Sequence, residues 1–333
     1  MRAFSKINLI LDILCKRPDG YHDLRSVMQT LALHDTVTIY AGERECDSGP
    51  ADNFQLTCSD PSLPTDHRNL VTQAAKYIIQ EYNITQPIRI HLEKRIPQGA
   101  GLAGGSSDCA ATLAGLNTLL KLNIPLHINK QCTKALGCTD ALRCTKALGC
   151  TNAQQSSNYQ HPKSMIEIGQ QFGADVPFCL LGGTALAEGI GEKLTPLPSH
   201  PHCWVVLVYP DIHVSTAEIF KRYSPNKTAL NETTDTIEMT NNSDKVIAAI
   251  TNKDLNCIAQ NFSNDLAHVT ASIHPIITEL INQMKIHGAL GSAMSGSGPT
   301  VFGYFDTLEA AQKTQKAMAK LARRAFLTEI KNH

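Results

Sequence analysis

Pro97-Gln98-Gly99-Ala100-Gly101-Leu102-Ala103-Gly104-Gly105-Ser106-Ser107 constrains the fold of this chain more than any other segment. Before it, Ile88, Ile90 and Leu92 alternate with Arg89, His91 and Glu93, the pattern of a half-buried strand. After it, Cys109, Ala110, Leu113, Leu116, Asn117 and Leu120 recur at helical spacing and predict a helix over 107–121. A glycine-rich turn between strand and helix lets backbone N–H groups approach an anion, and the helix adds free N–H groups and a positive dipole end. The two serine hydroxyls supply further donors, or a contact to a bound metal ion. Such a loop suits the phosphates of a nucleotide. Gly99-x-Gly101-x-x-Gly104 also matches a dinucleotide fingerprint, but no Asp or Glu occurs between Asp108 and Asp140 to hold a ribose. The Walker lysine is missing, and the loop precedes an alanine-rich helix where a protein kinase has a strand. On this segment alone a plain helix-start turn stays open.

Composition narrows the partners. Thirty basic residues balance thirty acidic ones among 333, so no overall field draws the chain to nucleic acid or an anionic membrane. The apolar stretch Ile7 to Leu14 is broken by Asn8 and Asp12, unlike a signal peptide, and no run is long enough to span a bilayer. Eleven cysteines form no Cys-x-x-Cys pair, and Cys179 and Cys257 sit among apolar residues, which fits a reducing, cytoplasmic setting.

Along the chain, Ile7, Leu9, Leu11 and Ile13 share one strand face and Lys6, Asn8 and Asp12 the other. Arg17-Pro18-Asp19-Gly20 signals a turn, and a second strand is predicted over Thr36–Tyr40. Asn69–Tyr82 reads as a helix, Trp204–Tyr209 and Thr300–Phe305 as strands, and 244–250, 273–286 and 308–323 as helices. Strands and helices mix in two halves, which predicts an α+β or α/β protein of two lobes. Residues 132–153 repeat the hexapeptide Cys-Thr-Lys-Ala-Leu-Gly with small variations. The copies are too few for a β-helix, and cysteines six apart match no common zinc spacing. A tandem expansion in a tolerant loop is the expectation, and the Thr/Asn-rich stretch 226–244 reads as another excursion.

Three further elements bear on chemistry. Asp175, in Gly173-Ala174-Asp175-Val176-Pro177, stands between apolar neighbours, where a nearby ammonium would keep its carboxylate ionised. Lys6 is a suitable partner, since a carboxylate beside a cation suits phosphoryl transfer to a hydroxyl. Taken singly, the two read first as an N-cap aspartate and a surface lysine. Ser295-Gly296-Ser297-Gly298 is either a turn or a second loop closing over phosphates.

Lys6-Ile7-Asn8 with Gly20-Tyr21-His22-Asp23-Leu24, the Pro97–Ser107 loop, Gly173–Pro177 and Met294–Gly298 occur in the order found in GHMP kinases, and the chain resembles that family over nearly its whole length. Asp19–His22 and Ala187-Glu188-Gly189-x-Gly191-Glu192 narrow the resemblance to the branch acting on a cytidine diphosphate-linked methylerythritol in non-mevalonate isoprenoid synthesis. The resemblance implies a ribosomal-protein-S5-like N-terminal domain over 1–198, carrying the inserted loop 132–160, and a ferredoxin-like C-terminal domain over 199–333. It implies ATP on Pro97–Ser107, with Mg²⁺ shielding charge, and Lys6 and Asp175 as the catalytic pair. It further implies cytidine on Tyr21 and His22, an aromatic sandwich from Phe220 and the erythritol end beside Asn8. Phe4-Ser5 before Lys6 and Ala103 within the loop depart from the family's commoner residues, and neither removes a phosphate donor. The alternatives are a sugar, mevalonate or homoserine kinase of the same family, a non-catalytic nucleotide-binding relative, or a dehydrogenase. The Tyr21-His22 pair, the joint presence of Lys6 and Asp175, and the missing ribose acid argue against these in turn.

Overall fold

Arg2–Lys16 forms one long strand, β1, in a computed structural model that describes residues 1–42, 53–127, 163–223 and 242–332. The hexapeptide repeat, and most of the 226–244 stretch, lie outside these residues. β1 pairs antiparallel with β2, His22–Ala41, across a turn in which Gly20 has φ +89°. The second strand thus begins fourteen residues before the predicted Thr36, because its first part alternates weakly and is held by pairing on both edges. Thr36–Ala41 pairs with β4, Ile88–Glu93, while Leu24–Gln29 pairs with β5, Thr184–Gly189. β3, Phe54–Cys58, runs parallel to β4, and β6, Lys193–Pro196, pairs with β5. β8, the two residues Ser263–Asn264, joins the other side of β1 and completes a seven-stranded sheet.

The second sheet has the order β11 (Arg324–Glu329), β7 (Trp204–Tyr209), β10 (Val301–Phe305), β9 (Gly291–Met294), all antiparallel. Within this half that order is 4-1-3-2, the ferredoxin-like arrangement, and the α+β expectation holds. Ile7, Leu9, Val27 and Leu31 of the first sheet share one buried cluster with Val205, Leu207, Phe302 and Tyr304 of the second. Burial of each such side chain contributes roughly 1.5–3 kcal/mol, so the two sheets hold each other. The expected one-faced β1 is therefore buried on both sides, with Lys6 and Asn8 4% and 2% exposed. Register shifts between Asn8 and Ile10 re-aim Ile10 into the same cluster as Leu9, which strict alternation would forbid.

Helix α1, Leu70–Glu81, starts at Asn69, whose side chain accepts from Val71 N–H at 2.9 Å. It packs with α2, Gly104–Leu119, over the first sheet, and the short helices α3, Met165–Gly169, and α4, Val176–Leu181, pack against α2. The second half carries α5 (Thr216–Arg222), α6 (Asn242–Thr251), α7 (Leu255–Gln260), α8 (Ala267–Ile273), α9 (Ile276–Ile286) and α10 (Leu308–Met318). α10 stops five residues before the predicted 323, and the chain turns there into β11.

Where β8 meets β1, Asp12 faces Ser263, with 3.4 Å between Oγ and Oδ1. Burial, reinforced by the charge of Asp265, pushes the Asp12 carboxyl up to about 6. A carboxyl raised in the folded state stabilises the fold below its ordinary pKa and loses that contribution as pH rises through the folded value. Asp12→Asn is therefore expected to raise the melting temperature by an increment that grows between pH 4 and 6 and then levels. A pH-independent increment in paired thermal melts would contradict it.

Candidate active site

A cleft of about 930 Å³ opens where the two sheets meet, and it gathers residues far apart in the chain. β1 contributes Lys6 and Asn8, the loop before α2 contributes Gly99 to Gly101 and Ala103, the first turn of α2 contributes Gly104 to Ser106, and the start of α4 contributes Asp175. The hairpin turn adds Tyr21 and His22, α5 adds Phe220, and the loop between β9 and β10 adds Gly296 to Gly298.

Lys6 is the buried centre. Its Nζ donates to Asn8 Oδ1 at 2.8 Å and lies 3.5 Å from Asp175 Oδ2. The orientation of the Asn8 amide follows from its partners. Ser26 Oγ donates to the Ile10 carbonyl at 2.6 Å, so it accepts from Asn8 Nδ2 at 2.8 Å, which leaves Oδ1 for the ammonium. Asp175 holds the N-cap position of α4, but its side chain makes no cap hydrogen bond. The carboxylate is instead partly exposed in the cleft, its side chain 34% exposed against 5% for the side chain of Lys6. The pairing that remained open from the residues singly is thus present.

The nucleotide-type loop contributes unevenly. Gly99 and Gly101 have φ +62° and +74°, and Ala103 at φ +57° takes the N-cap of α2 without a side-chain cap. The helix starts three residues earlier than predicted, so Gly104, Gly105 and Ser106 form its first turn. No side chain caps that turn, leaving its N–H groups to serve a ligand. Ser107, expected as a donor, is turned inward. Its N–H donates to the Ala103 carbonyl, its Oγ donates to the Gly104 carbonyl at 2.8 Å, and it is 2% exposed. Three other residues of the loop lie off the cleft wall. Leu102 is packed in the inter-sheet cluster, Pro97 is buried, and Gln98 accepts from Tyr209 through its carbonyl. Because the helix begins at Gly104, Ser107 faces the sheet.

Behind the loop, Lys94 lies between Asp35 and Asp108, with 2.7 Å to Asp108 Oδ2. Asp35 Oδ1 also accepts from Ile96 N–H at 2.8 Å, which ties the end of β4 to β2. Burial pushes the Asp108 carboxyl up from its ordinary value despite the ammonium beside it. These three residues have no periodicity or motif that sequence reading could have used.

At the other end, the His22 and Phe220 rings are 5.4 Å apart, and Tyr223 meets His22 edge-on at 6.2 Å. Tyr21 is 62% exposed at the same mouth, its N–H held by Asp19 Oδ1 at 3.0 Å. The fold thus brings the looser expectation, Phe220, to the predicted Tyr21-His22 pair from the opposite half of the chain. Lys16, Thr216 and Lys221 also line the cleft, unforeseen because exposed lysines and a lone threonine carry no pattern.

Chemically, the cleft joins a turn rich in N–H donors, an ammonium–carboxylate pair and an aromatic mouth. Family models for the GHMP kinases N terminal domain and the GHMP kinases C terminal match residues 69–146 and 246–323. The chain is 37% identical to the 4-diphosphocytidyl-2-C-methyl-D-erythritol kinase of Caldicellulosiruptor saccharolyticus, over 94% of this chain and 91% of that protein. It is 38% identical to the protein of the same name from Lachnoclostridium phytofermentans, over 99% and 96%. Among solved structures, a 4-(cytidine 5'-diphospho)-2C-methyl-D-erythritol kinase superposes with a TM-score of 0.72 at 26% identity, covering 100% of this chain and 99% of the other. A homoserine kinase from Cytophaga hutchinsonii superposes at 0.65 with 18% identity, over 92% and 89%, a likeness of fold alone.

Proposed function

This chain belongs to the GHMP kinases, and from that premise we propose how its cleft carries out the transfer of the ATP γ-phosphoryl group to the 2-hydroxyl of 4-diphosphocytidyl-2-C-methyl-D-erythritol. The reaction itself follows from relatives of that name matching nearly end to end at 36–38% identity. The single observation that carries the mechanism is the Lys6–Asp175 contact of 3.5 Å, set between the phosphate loop and the aromatic mouth.

In this reading, ATP phosphates rest on Gly99, Ala100, Gly101 and the first turn of α2, where N–H groups and the helix dipole oppose their charge. The cytosine ring sits at Tyr21, His22 and Phe220. Asp175 accepts the proton of the attacking hydroxyl, and Lys6 stabilises the oxygen and the phosphoryl charge. Asn8 keeps the ammonium aimed at both, since its own Oδ1 is committed to Lys6. The oxygen of Ser106, together with phosphate oxygens, suits a hard cation, and Mg²⁺ held there would neutralise charge on the phosphates. The domain boundary proposed at 198/199 falls between β6 and β7. A cytoplasmic location is consistent with six free cysteines among the described residues.

The expected result of parallel assays with the diphosphocytidyl substrate, galactose, mevalonate and homoserine is ATP consumption with the first alone. Equal turnover of another alcohol would sink the substrate assignment.

A further inference from the structure

Asn264 belongs to no motif, yet it links the strand that carries Lys6 to the loop 295–298. It lies opposite Leu11 in β8, and the neighbouring Asp265 fastens the same junction by donating from N–H to the Leu11 carbonyl at 2.9 Å. Both hydrogens of the Asn264 amide go to carbonyls flanking Ser295, those of Met294 and Gly296, each at 2.8 Å. Its Oδ1 accepts from Leu266 N–H at 2.9 Å, which fixes which end of the amide is the donor.

A trans peptide is planar, so its N–H points opposite to its C=O. With the Met294 carbonyl drawn to Asn264, the Ser295 N–H must point away, and it does, donating to the Thr300 carbonyl at 2.9 Å. The same geometry applies one peptide later. The Gly296 carbonyl faces Asn264, so the Ser297 N–H points away from it. The other polar groups of Ser297 are engaged: Oγ with Thr216 Oγ1 at 2.8 Å and the carbonyl with Thr270 Oγ1 at 3.2 Å. Its N–H has no acceptor among the described residues. Gly296 and Ser297 both line the cleft, and a Cβ built on Gly296 would lie 3.5 Å from Asn8 Oδ1, beside the Lys6 ammonium.

We propose that Asn264 is a positioning residue that turns the Ser297 N–H into the cleft, where it donates to the terminal phosphoryl group of the nucleotide. The inference rests on the kinase reading, but nucleotide binding tests it whichever alcohol is the acceptor. Asn264→Asp has the same shape and replaces the donor amine with an oxygen that repels both carbonyls. Calorimetric titration with a β,γ-imido analogue of ATP and with ADP, both with Mg²⁺, separates the terminal phosphoryl from the rest. The analogue is expected to lose about tenfold or more in affinity, since a hydrogen bond to a charged group is removed, with ADP changed less than about twofold. Equal losses for both nucleotides, or no loss for either, would overturn it. Should Asn264→Asp fail to melt cooperatively, Asn264→Ser, which keeps one donor, decides by the same comparison with a smaller analogue-specific loss.

Discussion

Asp175→Asn is expected to lower kcat by about two to four orders of magnitude, the range that loss of a positioned general base produces. Affinity for a non-hydrolysable ATP analogue should stay within about twofold, because a group acting on the attacking hydroxyl contributes to the transition state alone. The amide matches the carboxylate in size, and α4 does not depend on it, since the side chain makes no cap hydrogen bond. Lys6 also keeps its 2.8 Å bond to Asn8. Steady-state kinetics paired with calorimetry separates the two quantities. A variant within about tenfold of the parent kcat would remove Asp175 from the base role.

Gly101→Ala is expected to be nearly as damaging by a different route. A Cβ at Gly101 would meet the Ser295 carbonyl oxygen at 2.3 Å and that of Gly298 at 3.0 Å. Both obstacles are backbone, so no rotamer change relieves them, and φ +74° adds about 1–2 kcal/mol of left-handed strain. Ser295 Oγ meanwhile donates to the Gly101 carbonyl at 2.9 Å, so moving one loop drags the other. The two loops should separate, raising KM for ATP by at least about tenfold, with a lower melting temperature. An alanine enzyme with parental KM and stability would show that the close approach is dispensable. Gly99→Ala isolates the clash, because at φ +62° it carries similar left-handed strain but its nearest obstacle is the exposed His213 side chain at 3.9 Å.

Much of the architecture was legible because its signals are local. Asn69 caps α1 as its side chain allows, and the alternation of Ile88, Ile90 and Leu92 appears as β4. Arg17–Gly20 turns the chain between β1 and β2. Periodicity misled where burial came from a distant partner. β1 reads as one-faced because Lys6 and Asn8 are polar, yet α2 and α4 pack against the strand and leave both residues buried. Ser107 reads as a phosphate ligand because serine follows glycine, but a helix begun at Gly104 rotates it to the sheet side.

Lys6, Asp175 and the glycine loop could be picked out as residues, since charges beside apolar neighbours and glycine clusters stand out along a chain, whereas the Tyr21-His22 pair was singled out by the family resemblance. The sequence by itself determined the chemical kinds available: a glycine-rich turn of N–H donors, an ammonium, a carboxylate and aromatic rings. Their union into one cleft was decided only by tertiary structure. Lys6 reaches Asp175 across 169 positions because the strand carrying one and the helix start carrying the other are packed around the same α2. Asn264 and the Asp35–Lys94–Asp108 group belong wholly to that second level. Their roles lie in hydrogen bonds between segments remote in sequence, and no local pattern encodes a bond whose partner is set by the packing of two sheets.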